Sequence, residues 1–356
     1  MSPDRRSPNG LRRSGAGLVI DILLTEFTIL GCLCPTADGD HGLRDSVSRR
    51  PRALSVPGGV TFSCDDLGRG PLSAEAVAGL LKHPLLPDAV FAAAEAIAVI
   101  ARKPPVFIND LGRLVIGNLA LYLHYSRDPA DPGSGLSAAR MKALCAEQRV
   151  CSEGRALAAM ALMRNAGDLV PATYQVDQRL RLLVPTEKLI NACRQYWEAI
   201  FRGIAVLIPR RSDAIAALQC EDTLGAFLQV FGGYFCAGMR MFEQGTGLTP
   251  FAQCNAGLAI LFSLLVASEQ NGRAASPVTV RISIAELARR CAVSRPQVVR
   301  VLDKAVEASL VERCGPDGLQ MTVLPGLRSV TQHFCVTAFL LCDYYMQIAL
   351  ERVRGR

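Results

Sequence analysis

The chain has 356 residues, 50% of them hydrophobic and 20% charged, and 39 Lys and Arg against 32 Asp and Glu give a formal net charge of +7. That is enough apolar material for two or three sizeable cores, and the basic balance is compatible with a polyanionic partner without requiring one. Thirteen cysteines, odd in number, irregularly spaced and without a CxxC pair, exclude a disulfide framework and leave a structural zinc or thioredoxin-type site without support.

The first seventy residues are expected to be a disordered tail. Arg5-Arg6 and Arg12-Arg13 precede an apolar run over 18–34 that imitates a signal sequence, but Asp21 and Glu26 interrupt it. Charges there are costly in a bilayer, and no stretch approaches the roughly twenty apolar residues a spanning helix needs. A reducing cytoplasm and no membrane partner are therefore expected.

Residues 71–210 are expected to form a first helical unit, with helices over 73–101, 106–125 and 187–207. Between them, 136–170 carries a helix, a turn, and a second helix that Ser152 is placed to cap. Residues 167–170 begin a strand, and 176–184 can supply its return. Residues 211–248 read as connecting helices. Pro/Gly/Ser clusters at 104–105, 128–135 and 272–277 punctuate the chain.

Residues 249–356 form the second unit: a helix over 250–269, an alternating strand over 278–282, and then the most informative stretch, 283–323. Ile284, Leu287, Ala288 and Cys291 follow the i, i+3, i+4, i+7 spacing of one buried helical face. Ser283 with Glu286 has the form of a capping box. Ala292 and Val293 turn the chain, Ser294 is placed to cap a second helix, and Pro296 fits its first turn. In that helix Val298, Leu302 and Ala305 share one face with Val301 beside them, which leaves Arg295, Gln297, Arg300 and Lys304 elsewhere. A strand from Leu310-Val311 turns at 315–318 and returns over 319–323. The last segment, 327–352, is more apolar than one amphipathic stripe needs, so it is expected to be buried, either between two copies of the chain as a homodimer or inside its own core.

The two units look like the same unit twice, offset by about 140 residues. Residues 116–125 match 255–264 in apolar pattern, and 182–185 align with 322–325. They differ chemically. Glu153 stands where the second unit has Arg295, Arg155 stands where it has Gln297, and Arg155 and Arg164 are the only basic residues of 153–166. The first unit is thus either a weaker DNA reader, through Ser152, Arg155 and Arg149, or a degenerate copy kept for packing or protein contacts. Cys145, Cys151, Cys291 and Cys314 lie in the two units, and burial is their expected role.

The stretch 283–323 resembles the winged helix-turn-helix of bacterial transcription regulators. Its DNA-binding module is most similar to that of the cyclic-AMP receptor protein family, and more loosely to MarR-like regulators. The matching residues are Ile284-Ala285, Leu287-Ala288, Val293-Ser294-Arg295, Val298, Arg300, Leu302 and Leu310-Val311; Pro296 and Ser309, the latter where the family usually has glycine, depart from the pattern. The resemblance covers about fifty residues, includes no cyclic-nucleotide-binding β-roll, and implies DNA contact through Ser294, Arg295 and Arg300. The expected architecture is mainly α: two tandem winged helix-turn-helix modules with small β-wings on a framework of long helices. Arg295, Gln297 and Arg300 would read bases, while Lys304, Arg290, Arg313 and the wing to Gly318 would grip phosphates.

Between residues 273 and 313 eight Lys and Arg face four Asp and Glu, a local excess of four that suits double-stranded DNA as the partner. His41, His83, His124 and His333 are isolated from one another, and no nucleophile elbow or phosphate-cradling glycine loop occurs. No enzyme activity, cofactor or metal is expected. The alternatives are a winged-helix scaffold for protein contacts and a small-molecule sensor with an effector pocket near Tyr234 and Phe235.

Overall fold

A computed structural model describes residues 62–102, 111–172, 181–241, 247–270, 277–314 and 320–355. The chain is mainly helical, with one sheet of two strands and one of three. Folded structure begins inside the segment expected to be a tail. Helix α1 (Cys64–Arg69) buries Leu67, and the Phe62 ring meets Tyr234 edge-on at 4.9 Å.

Helix α2 (Ala74–Leu81) starts where the Ser73 hydroxyl accepts from the Ala76 amide. The single helix expected over 73–101 breaks after it and resumes as α3 (Leu86–Ala101), bent by 86°. Pro84 has no amide to continue the ladder, and the His83 ring accepts the Leu85 N–H instead, at 3.2 Å. Helix α4 (Leu111–Tyr125) follows, then α5 (Ala138–Glu147) and α6 (Glu153–Asn165), capped by Ser137 and Ser152. Strands β1 (Leu169–Pro171) and β2 (Leu183–Pro185) pair antiparallel, and Ser137 adds an isolated bridge to Leu182. The early part of the return strand expected over 176–184 lies outside the described residues. Helix α7 (Glu187–Leu207) closes the unit, as its sequence pattern predicts.

The connecting segment expected over 211–248 contains α8 (Ser212–Ala217) and α9 (Glu221–Cys236). A short α10 (Thr249–Ala252) and α11 (Gly257–Gln270) lead to the second unit. There β3 (Val278–Arg281), α12 (Ile284–Arg290), α13 (Arg295–Glu307), β4 (Val311–Cys314) and β5 (Gln320–Val323) follow in turn. The sheet order is β3-β5-β4, all antiparallel, with Val278 and Val311 both opposite Val323. Along β3 the burial alternates, so Val278 and Val280 face the core while Arg281 faces water. The 30-residue α14 (Pro325–Arg354) ends the fold.

The long helices pack reciprocally. In the first unit α3 lies on α7, and α9, from the segment expected only to connect, lies on α14 and so serves as the second unit's leading helix. Each of these two helices also packs on the other unit: α3 on α11, and α9 on α4. Buried apolar residues from Leu67 to Ala349 therefore form one continuous core. The crossings are close. A Cβ on Gly232 of α9 would lie 2.3 Å from the Tyr122 ring of α4, and one on Gly203 of α7 would lie 2.6 Å from Phe339 of α14. Phe334, Phe339, Cys342, Tyr345 and Met346 of α14 are buried by this packing. The apolar excess of the last helix is thus covered, in large part, within its own chain.

Candidate nucleic-acid interface

In the second unit the candidate interface is built from α12 outward. The Ser283 hydroxyl accepts from the Glu286 amide at 3.1 Å, which starts α12 where expected. The capping box stays half-formed, because the Glu286 carboxylate turns to Arg289 and to Arg290, the latter at 2.7 Å. Those hydrogen bonds, Arg289 first, hold Glu286 below the usual carboxylate range. Arg290, expected to grip phosphate, is therefore partly neutralised.

The α12–α13 turn closes on a left-handed residue, Ala292 at φ 52°, with the Val293 amide donating to the Ala288 carbonyl at 2.9 Å. Ser294 occupies the N-cap position of α13, but its side chain makes no cap hydrogen bond. The reason is local: Pro296 lacks an N–H, and the Gln297 amide is taken by the Ser294 carbonyl at 3.1 Å. Ser294 is exposed at the end of a 13-residue helix, where the macrodipole favours an anion.

Along α13, Val298, Val301, Leu302 and Ala305 are buried, the face expected. Arg295 and Arg300 are exposed. Arg295 has no ion-pair partner among the described residues, and Lys304 is half-buried at the far edge of the same helix. Gln297 behaves differently from its assignment as a base reader. It is half-buried, its Nε2 donates to the Asn255 carbonyl at 2.9 Å, and its Oε1 accepts from Arg300 at 3.3 Å. It anchors the helix to the loop before α11 and steadies Arg300. No motif could reveal Asn255, which lies 42 residues away in sequence.

The hairpin also departs from expectation. Arg313 pairs with Asp303 at 2.8 Å and donates to the Val299 carbonyl at 3.3 Å, so it braces β4 against α13 rather than standing free. Gly318 lies outside the described residues. Two cations that the motif left aside, Arg281 on β3 and Arg289 on α12, are exposed on the same unit.

The first unit repeats the geometry with other chemistry. Its turn closes on Arg149 at φ 53°, and α6 begins at Ser152, whose hydroxyl accepts from the Arg155 amide at 3.4 Å. That oxygen is thus engaged where Ser294 is not. Glu153, at the tip of α6, pairs with Lys142 at 3.0 Å. Arg149 is exposed and Arg155 half-buried. The outer face of α6 shows Gly154, Leu157 and Ala161, with Leu157 44% exposed. Asp168, 1% exposed, ties the end of α6 to α7 through Lys188 at 2.9 Å.

Of the thiols in these units, Cys145 and Cys291 are buried as expected, whereas Cys151 and Cys314 are half-buried. A hydrogen bond from Cys145, helped by Arg155, lowers the Cys151 thiol and leaves Cys145 raised. Among the described residues no group of three or more His, Cys, Asp or Glu is placed to hold a metal ion. Comparisons with protein-family models, with curated proteins and with solved structures return no match.

Proposed function

We propose that the chain is a sequence-specific DNA-binding transcription regulator, in which β3, α12, α13, β4 and β5 form a winged helix-turn-helix and α13 enters the major groove. The observation that carries this reading is the N-terminal end of α13. An uncapped serine hydroxyl, a free Arg295 and an Arg300 steadied by Gln297 stand together on one exposed helix end. Ser294 with the helix dipole suits a phosphate, and the two arginines suit guanine edges, each worth roughly 1–3 kcal/mol of discrimination. Lys304 and the exposed Arg281 supply backbone contacts. Arg289, Arg290 and Arg313, already paired with acids, contribute less. Every cysteine among the described residues is a free thiol, in keeping with a reducing cytoplasm.

We take the first unit to be a second module of the same kind, with weaker DNA contact. Its carboxylate at the tip of α6 repels phosphate, and the exposed Leu157 favours the reading of that face as a protein contact. On this reading the two modules that pair belong to one chain.

Selection and sequencing of genomic fragments retained by the protein at two salt concentrations tests the proposal. A shared motif that survives the higher salt is the expected result. Arg300→Ala and Arg295→Ala are expected to relax the motif, and each lost phosphate contact is expected to flatten the log–log salt dependence by about 0.9. Unselective retention, lost with salt and indifferent to both substitutions, would leave only a basic surface.

A further inference from the structure

Where the two units meet, a cleft of about 100 Å³ opens between α4, α7, α9 and α14. Trp197, Phe231, Phe235, Phe334 and Tyr345 make its aromatic wall. This volume is several times the roughly 10–15 Å³ that one water needs, and apolar walls offer water few partners. Several polar groups at its margin already have theirs. The Asn118 Oδ1 accepts from the Trp197 indole N–H at 3.0 Å, and its amide donates to the Leu114 carbonyl at 2.8 Å. Arg240 lies 3.8 Å over the Phe235 ring and donates to both the carbonyl and the side chain of Gln148 at 3.1 Å. The exposed Arg149 also lines the cleft, so a ligand's body meets aromatic edges and faces while two guanidinium groups stand at its margin.

We propose that this cleft is a binding site for a small, neutral, apolar molecule of about one ring, aromatic or alicyclic. Size and chemistry argue together. The space is too small for a peptide segment, and the edge-to-face geometry of Trp197 on Phe231 (5.1 Å, 62°) leaves ring surfaces available for stacking. Gln148 and Val150, which also line the cleft, belong to the turn that carries α6. A ring seated there bears on the pose of the first unit against the second. That consequence rests on the DNA-reading proposal; the binding itself does not.

The chain has one tryptophan, and it lies in the cleft wall, so its fluorescence reports occupancy directly. Iodobenzene, titrated into the full chain without DNA, is expected to quench Trp197 in a saturable way through heavy-atom contact, and toluene is expected to reverse the quenching. Ala338→Leu, which places extra carbons in the cleft, is expected to abolish the saturable phase while leaving circular dichroism unchanged. Ala252→Leu repeats the test from the opposite wall should the first variant fold poorly. Quenching that stays linear, ignores toluene, or persists in a folded filled variant overturns the proposal. Because DNA is absent, the outcome is separate from that of the fragment selection.

Discussion

Ser309 closes the end of α13 in a left-handed conformation, φ 55°. The Leu310 amide donates to the Ala305 carbonyl and the Ser309 amide to the Val306 carbonyl, both at 2.9 Å, a Schellman closure. The first unit makes the same closure at Gly167, φ 74°, with the Asp168 amide on the Met163 carbonyl at 2.8 Å. An L-residue held there costs about 1–2 kcal/mol, and glycine's greater freedom in the unfolded chain gives back roughly 0.5–1 kcal/mol. Ser309→Gly is therefore expected to stabilise the chain by about 0.5–1 kcal/mol. With a urea slope of about 3 kcal/mol/M, the unfolding midpoint should rise by about 0.2–0.3 M at unchanged slope. The converse, Gly167→Ala, should lower it by a similar amount. A Cβ there meets nothing within 4 Å, so only backbone strain acts. A Ser309→Gly midpoint at or below that of the parent, with Gly167→Ala harmless, would show that these turns are not under the strain assigned to them.

Gly257 starts α11, and a Cβ there would lie 1.9 Å from the Phe251 carbonyl oxygen, a backbone atom that cannot swing aside. Gly257→Ala should cost at least about 1–3 kcal/mol in thermal or urea unfolding and loosen the Asn255 loop that holds Gln297; an unshifted melting temperature would contradict the packing. Cys220 is fully exposed at the N-terminus of α9, and hydrogen bonds from Thr223, the backbone one first, lower its thiol. Mass spectrometry after brief iodoacetamide treatment should find it labelled first, while Cys335, buried and pushed up to about 12, stays unmodified until unfolding. His124 has its pKa lowered from 6.5, mainly by burial, so the fold favours the neutral ring. Its contribution is fully present above pH 6.5 and is lost as the pH falls below that value toward the lower folded one. Melting temperatures of the parent and of His124→Gln should therefore converge between pH 7 and 5, and parallel curves would count against it.

Local signals made much of this fold legible. Apolar spacing located α12, α13 and α7 closely, Ser283 marked the start of α12, and alternation located β3. What was hidden depends on distant or unusual partners. The Asn255 carbonyl that holds Gln297, and the acids beside Arg290 and Arg313, give three expected DNA contacts partners within the fold. Residues on an outer helical face are free only when no neighbour claims them, and periodicity does not count neighbours. The turn residues Arg149, Ala292 and Ser309 were equally hidden, because left-handed backbone is usually announced by glycine. The exchange of leading helices between units left no local trace. It follows from where α3 and α9 find their apolar partners, and α9 had looked like part of a connection.

On the proposed function, that exchange bears on what two DNA-contacting modules in one chain can do. A symmetric homodimer must present the same side chains to both half-sites, so its best operator is a palindrome. Here the halves share a core but not a sequence, and each has been free to change. The second unit keeps an open serine and two exposed arginines at its helix tip, whereas the first has an engaged serine and a lysine-paired glutamate. At roughly 1–3 kcal/mol for each base-reading contact, losing both arginines removes most of the discrimination one half can offer. On the proposed function, the preferred DNA site is therefore asymmetric: one well-defined half under α13, and beside it a half defined mainly by spacing and backbone. Because α4, α7, α9 and α14 join the halves and also enclose the aromatic cleft, a molecule seated there would act on the geometry between the halves and, through the lining residue Arg149, on the turn of the first unit.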